Sequence, residues 1–128
     1  MDRITKHAHW LLRLAIASVF LFHGLAKLPT LAAFASMLKM PWIVALAVAL
    51  CESLGGILII LGGVLQDRGL ATRLGSILII PVMLTAMFMV HWGQWSFMSS
   101  ESHPMGGIEF HVVLLAVLFY FLIKGKDA

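Results

Sequence analysis

The sequence predicts an all-α fold: a polytopic membrane four-helix bundle, with both termini cytoplasmic and a short amphipathic helix in the first outer loop. Three observations predict it. The 128 residues are 61% hydrophobic and only 12% charged, against about 25% charged in soluble domains. So short a chain has too little interior to hide that much apolar surface from water, and its mean hydropathy is +0.99. The apolar residues also fall into four runs near the ~20 residues needed to cross a ~30 Å hydrocarbon core.

The first run is His9 to Leu28. Arg3, Lys6 and Arg13 give it the look of a signal peptide, but no convincing small-x-small cleavage site follows, so the helix is expected to be retained. Pro29 to Met40 carries Leu31, Phe34, Ala35 and Leu38 at helical spacing, the pattern of a short amphipathic helix at the membrane surface. The second run is Pro41 to Leu61, opened by a proline at a favourable first helical position. Gly62 to Ala71 reads as a tight, glycine-punctuated loop. The third run, Thr72 to His91, holds Pro81 mid-way, where a kink is expected. Trp92 to Met105 is a longer loop whose tryptophans suit the interfacial belt. The fourth run is Gly106 to Ile123. Together they make one membrane domain over residues 1–128.

Orientation follows from the basic residues. Arg3, Lys6, Arg13, Arg68, Arg73, Lys124 and Lys126 fall on one side, and only Lys27 and Lys39 on the other. By the positive-inside rule both termini face the cytoplasm, which places the chain in an inner (cytoplasmic) membrane. The net charge of +3 is spread along the flanks of the runs, as lipid contact requires, rather than gathered on a face for nucleic acid. The single cysteine, Cys51, excludes an internal disulfide and reads as a small buried hydrophobe.

Titratable groups inside a bilayer cost roughly 2.5–3.5 kcal/mol each at the centre of a helix, so they are paired or face a cavity. This chain has His23 in the first run, Glu52 in the second, His91 ending the third, and Glu109 and His111 in the fourth. All lie at the centre or in the outer half of the membrane, which points to one polar site opening outward. Ala45, Ala49, Glu52, Gly56 and Gly63 share a face, and small residues let helices approach closely in lipid, so Glu52 is expected to point into the bundle. His23 and Lys27 share a face at i, i+4. Glu109 and His111 diverge by about 200°, so only one faces the centre squarely.

Histidines and carboxylates can ligate a metal ion or a haem, relay protons, or hydrogen-bond a quinone. The candidate metal set is His23, Glu52, His91 and His111; no HExxH, CxxC or CxxCH spacing occurs. The bland alternative is a network that only orders the helices, with Glu52 protonated or paired to His23. Met83, Met87, Met98 and Met105 could serve copper(I), but gap-filling in the core is the simpler reading. His7 and His9 read as interfacial or solvated and His103 as a loop residue. His23-Gly24 and His91-Trp92-Gly93 hint at internal duplication, without matching spacing.

These residues resemble the DoxX family. The likeness rests on Arg13-Leu14 with Phe20-Leu21-Phe22-His23-Gly24-Leu25-Ala26-Lys27-Leu28, then Glu52-Ser53-Leu54-Gly55-Gly56 with Leu61-Gly62. It continues with Ala71-Thr72-Arg73, Val90-His91 and Gly106-Gly107-Ile108-Glu109. The resemblance implies a four-helix membrane bundle and a broad redox association. Relatives include a subunit linked to thiosulfate:quinone oxidoreductase, a membrane partner in oxidative-stress complexes, and animal proteins that assist receptor assembly or cargo export. It carries motif positions onto His23, Lys27, Glu52, Arg73, His91 and Glu109.

Three functions follow as expectations. The first is a redox-associated membrane subunit, with a metal ion, haem or quinone held near His23, Lys27, Glu52, His91 and Glu109, beside a redox protein partner or in a homo-oligomer. The second is a non-catalytic assembly or scaffold protein whose buried polar network is structural. The third is a small oligomeric transporter.

Overall fold

The structure, a computed structural model, describes residues 2–128. Among the described residues there is no strand. The helices are α1 (Asp2–His7), α2 (His9–Lys27), α3 (Leu31–Met37), α4 (Trp42–Val64), α5 (Leu70–Ala86) and α6 (Glu109–Lys124). A wider π-turn, Met87–His91, continues α5, and 3-10 turns occupy Leu28–Thr30 and Gly125–Asp127. Four of these, α2, α4, α5 and α6, form the bundle. Three stretches are long and apolar enough to cross a membrane: Arg3–Met37, Trp42–Val64 and Leu70–His91.

The helix bounds differ from the sequence reading at instructive places. Pro41 stands just outside α4, with ψ 145°, because its ring suits the extended residue before a helix as well as the first turn inside it. The fourth helix begins at Glu109 rather than Gly106. Gly106 adopts φ +82° and the Gly107 N–H donates to Ser96 O at 2.7 Å, so the loop takes both glycines. Sixteen residues remain in α6, which rise only about 24 Å.

Helix α4 lies between α2 and α5 and presents glycines to both. Toward α2, the small-residue face meets its partner closely: Ser53 and Ala49 crowd Gly24, Leu21 lies over Gly56, and Trp10 and Arg13 lie over Gly63. Toward α5, Gly55 meets Gly75 and Ile79, and Gly62 meets Thr72. This second face was not apparent from the spacing of Ala45, Ala49, Glu52 and Gly56. Without a hydrophobic force between helices in lipid, such close approach supplies the packing. Gly62→Ala would drive a methyl into the Thr72 backbone N and hydroxyl. It is expected to destabilise the fold by about 1–3 kcal/mol, measurable by denaturant titration in detergent.

The core lies between α2, α5 and α6, with Phe20, Ile79, Leu118 and Phe121 essentially inaccessible. A second cluster seats α3 on α4 through Leu31, Ala35, Ala45 and Ala49. Outward-facing Leu11, Phe22, Ile43 and Ile123 are more than 60% exposed, as expected of a surface solvated by lipid.

The start of α2, the 65–69 connection and the C-terminal turn gather at one end. Arg13 is fully buried there. Its Nη1 donates to Ile59 O and Thr72 Oγ1, both at 2.8 Å, its Nη2 to Gly125 O at 3.3 Å, and its Nε to His9 Nδ1 at 3.0 Å. Its guanidinium carbon lies 5.1 Å from the centre of the Phe121 ring. Counted in the sequence only as a flanking cation, Arg13 instead joins α2, α4, α5 and the C-terminal turn.

Asp67 caps α5 from the same connection, accepting from Gly69 N at 2.9 Å and Ala71 N at 2.7 Å. The Ala71 N–H, chiefly, holds its carboxyl below the usual value of 3.8. A depressed carboxylate stabilises the fold above its unfolded value and loses that contribution as pH falls through the folded value. Asp67→Asn should therefore remove part of the loss of stability below pH 4, seen by comparing thermal unfolding at pH 3 and pH 7.

Candidate functional site

A cavity of about 540 Å³ occupies the half of the bundle opposite Arg13, lined from all four bundle helices, α3 and the 92–108 loop. Its walls are apolar, with Phe20, Val48, Met83 and Leu114 among them. Its polar groups are His23 and Lys27 from α2, Glu52 from α4, His91 from the end of the π-turn and His111 from α6. Of the residues expected in one polar layer, His23, Glu52, His91 and His111 therefore line one cavity, with a group from each bundle helix, and Glu109 does not.

Glu52 is buried, and Lys27 Nζ reaches its Oε2 at 2.6 Å. The expected alternative, pairing to His23, does not occur: the close α2–α4 contact at Gly24 sets Lys27, one turn beyond His23, against Glu52. Lys27 Nζ also donates to His23 O at 3.3 Å and lies 5.3 Å from the centre of the Phe34 ring. The pair neutralises both charges where neither could stand alone.

His91 Nδ1 lies 2.8 Å from Gly106 O. A carbonyl can only accept, so Nδ1 carries a proton, and in that neutral tautomer the lone pair is on Nε2. The His91 and His111 rings are in tilted contact, with centroids 4.1 Å apart and planes at 40°. His111 Nδ1 is buried and has no hydrogen-bond partner. It is thus the buried polar atom still available to a guest molecule.

Glu109 goes elsewhere. Its Oε2 accepts from Phe97 N at 3.1 Å, while its own N–H donates to Trp95 O at 2.9 Å. Of the two residues that diverge at the start of α6, His111 faces the cavity and Glu109 ties down the loop. That loop is densely bonded: Ile108 N donates to Gln94 O, Gly106 N to His103 O, and His103 Nε2 to Trp92 O at 2.6 Å. Arg73 also lies away from the cavity, with Nη2 donating to Ile123 O at 3.4 Å at the end of α6.

Among the described residues, no three His, Cys, Asp or Glu side chains form a group able to hold a metal ion. Met83 is buried in the cavity wall and Met87 beside it in the core, as gap-filling requires. Met98 is exposed.

A bundle of apolar helices around a polar pocket defines a class, the small helical membrane protein with a binding-sized cavity. Within that class the chain belongs to the DoxX family, whose profile matches residues 8–92. The match runs from the start of α2 past His91 and covers more than half of the chain; Glu109 and His111 lie beyond it. No curated protein and no solved structure matches the chain significantly.

Proposed function

We propose that this protein is a quinone-binding, redox-associated subunit of the cell's inner membrane, with α6 as its fourth crossing and the Arg13 end toward the cytoplasm. The observation that carries this reading is the cavity, apolar over most of its wall and polar where His23, Lys27, Glu52, His91 and His111 meet. A quinone head needs donors for its carbonyl oxygens, and its reduced form needs acceptors for its hydroxyls. Lys27 has one N–H beyond those given to Glu52 and His23 O, His91 Nε2 supplies an acceptor, and His111 Nδ1 serves as either according to its tautomer. A quinone bound there would exchange electrons and protons with a partner protein. Helix α3, packed on α4, lies at the outer membrane surface on this reading, and the seven-to-two distribution of basic residues supports the orientation.

The test is photolabelling with an azido-quinone carrying a decyl tail, in nanodiscs, with adducts located by mass spectrometry. Adducts are expected on peptides holding His91 and His111, displaced by excess unmodified quinone. His91→Leu is expected to weaken binding about tenfold, the loss of one hydrogen bond of ~1.4 kcal/mol. Absence of displaceable labelling would overturn the reading. The assembly-protein alternative draws on the Lys27–Glu52 pair, which already satisfies the most expensive buried groups without a ligand. Efficient co-purification of a partner with a variant whose cavity is filled, such as Val48→Phe, would favour it.

A further inference from the structure

The inner and outer halves of α4 and α5 pack differently. In the inner half they touch backbone to backbone, through Gly55 with Gly75 and Gly62 with Thr72. These contacts also fix the antiparallel register, Gly62 against Thr72 and Gly55 against Ile79, which carried along the helices brings Glu52 toward Val82, Val48 toward Ala86 and Val44 toward Val90. All six residues line the cavity. On each helix they recur every four residues, so two stripes face one another along a cleft.

The glycines stop where the cleft begins. Valines replace them on α4. On α5, Pro81 lacks the N–H that would close the ladder, and the π-turn Met87–His91 widens the helix beyond it. Pro81, Thr85, Met89 and Val44 are exposed although they line the cavity, Met89 at 67% and Val44 at 43%. Exposed, cavity-lining side chains on both α4 and α5 mark an opening between these two helices. Glu52, at the deep end, is only 6% exposed.

The chemistry of the mouth is that of lipid. Its one hydroxyl, Thr85 Oγ1, donates to Pro81 O at 2.8 Å, so the hydrogen-bonding need is met within the helix. No charged residue stands on either stripe above Glu52. Elsewhere the cavity is lined by Phe34 and Leu38 of α3 and by Phe97, Met105 and Gly107 of the bonded loop, of which Phe97 and Met105 are also exposed.

We propose that the cavity is reached sideways from the outer leaflet, through the cleft between Val44–Val48 and Thr85–Met89, and that its ligand is a membrane-dissolved amphiphile whose apolar tail lies in that cleft. The proposal rests on the quinone-binding reading and adds the route and the tail. A head group passing between the stripes meets only apolar atoms until it reaches Lys27, Glu52 and the histidines. A water-borne solute would instead have to enter past α3 or the loop.

The test plugs the mouth and compares two probes on the protein in sealed liposomes. One is the decyl-tailed azido-quinone; the other is a sulfonated, membrane-impermeant azido-benzoquinone added outside. Thr85→Trp and, separately, Val48→Trp are expected to cut labelling by the tailed probe at least tenfold. Ile77→Trp, on α5 but not lining the cavity, should leave it unchanged. The sulfonated probe should label the native cavity at least tenfold less than the tailed one. To separate blockage from misfolding, Met89→Cys in a Cys51→Ser background is alkylated with a bulky maleimide after folding; labelling should be native-like before alkylation and lost after it. Undiminished labelling of the plugged chains by the tailed probe would overturn the lateral route, as would equal labelling of the native cavity by the sulfonated probe. Failure of every probe to label the native chain would instead remove the quinone reading, and this proposal with it.

Discussion

Arg13→Ala is expected to destabilise the bundle by about 3 kcal/mol or more, the largest effect of any single change considered. The side chain is inaccessible to solvent and serves four acceptors on α2, α4, α5 and the C-terminal turn. Removing it leaves buried acceptors unmet, at about 1–3 kcal/mol each, and opens a void under Phe121. Arg13→Lys should recover only part of the loss, because an ammonium lacks the planar fork that reaches Ile59, Thr72 and Gly125 together. Reversible unfolding in mixed micelles, followed by circular dichroism, measures both. A native midpoint for Arg13→Ala would show that water or lipid reaches this end of the bundle.

The second large effect is expected at Lys27–Glu52. Lys27→Met leaves a carboxylate at low dielectric without its cation, and breaking a buried pair from one side typically destabilises by about 3–5 kcal/mol. Lys27 is 18% exposed and Glu52 8% exposed by side chain, so some relief by water places the expectation near the lower bound. Adding Glu52→Gln to Lys27→Met should restore most of the stability, since no unpaired charge remains, yet leave quinone binding weak. The double-mutant cycle separates the two roles. Recovery of both stability and binding in the double variant would make the pair purely structural. Recovery of neither would mean that Lys27 matters for packing against Phe34 rather than for charge.

Much of the fold is written in one dimension. Apolar runs of membrane-spanning length reveal α2, α4 and α5, because a bilayer imposes a length on any helix that crosses it. The helix at Leu31–Met37 is legible from its apolar spacing. The inward direction of Glu52 follows from the small residues around it, and the convergence of His23, Glu52, His91 and His111 from their shared depth. Partner choice is a different matter. Lys27 and His23 lie on one face, and which of them reaches Glu52 depends on how far α2 slides along α4, a distance fixed by Gly24 against Ala49 and Ser53. The role of Arg13 was hidden for the same reason: a cation near a helix end looks solvated until Gly62 and Gly63 bring the other helices close enough to bury it. Its position four residues inside α2, opposite two consecutive glycines, was the available clue. The diversion of Glu109 to the loop depends on hydrogen bonds from Phe97 that no spacing rule encodes.

The arginine-centred end and the glycine-free outer end give the molecule the mechanics of a clothes peg. Four segments are pinned at one point by a single guanidinium, while the opposite ends of α4 and α5 are separated by a space rather than by interlocked side chains. Deformation concentrates where packing is sparse, so the compliant part of the protein is its jaws and the spring lies at the arginine end. On the proposed orientation and route, the shape of the cavity would respond to lateral pressure in the outer leaflet, and the composition of the surrounding lipid would help set how readily the site admits its ligand.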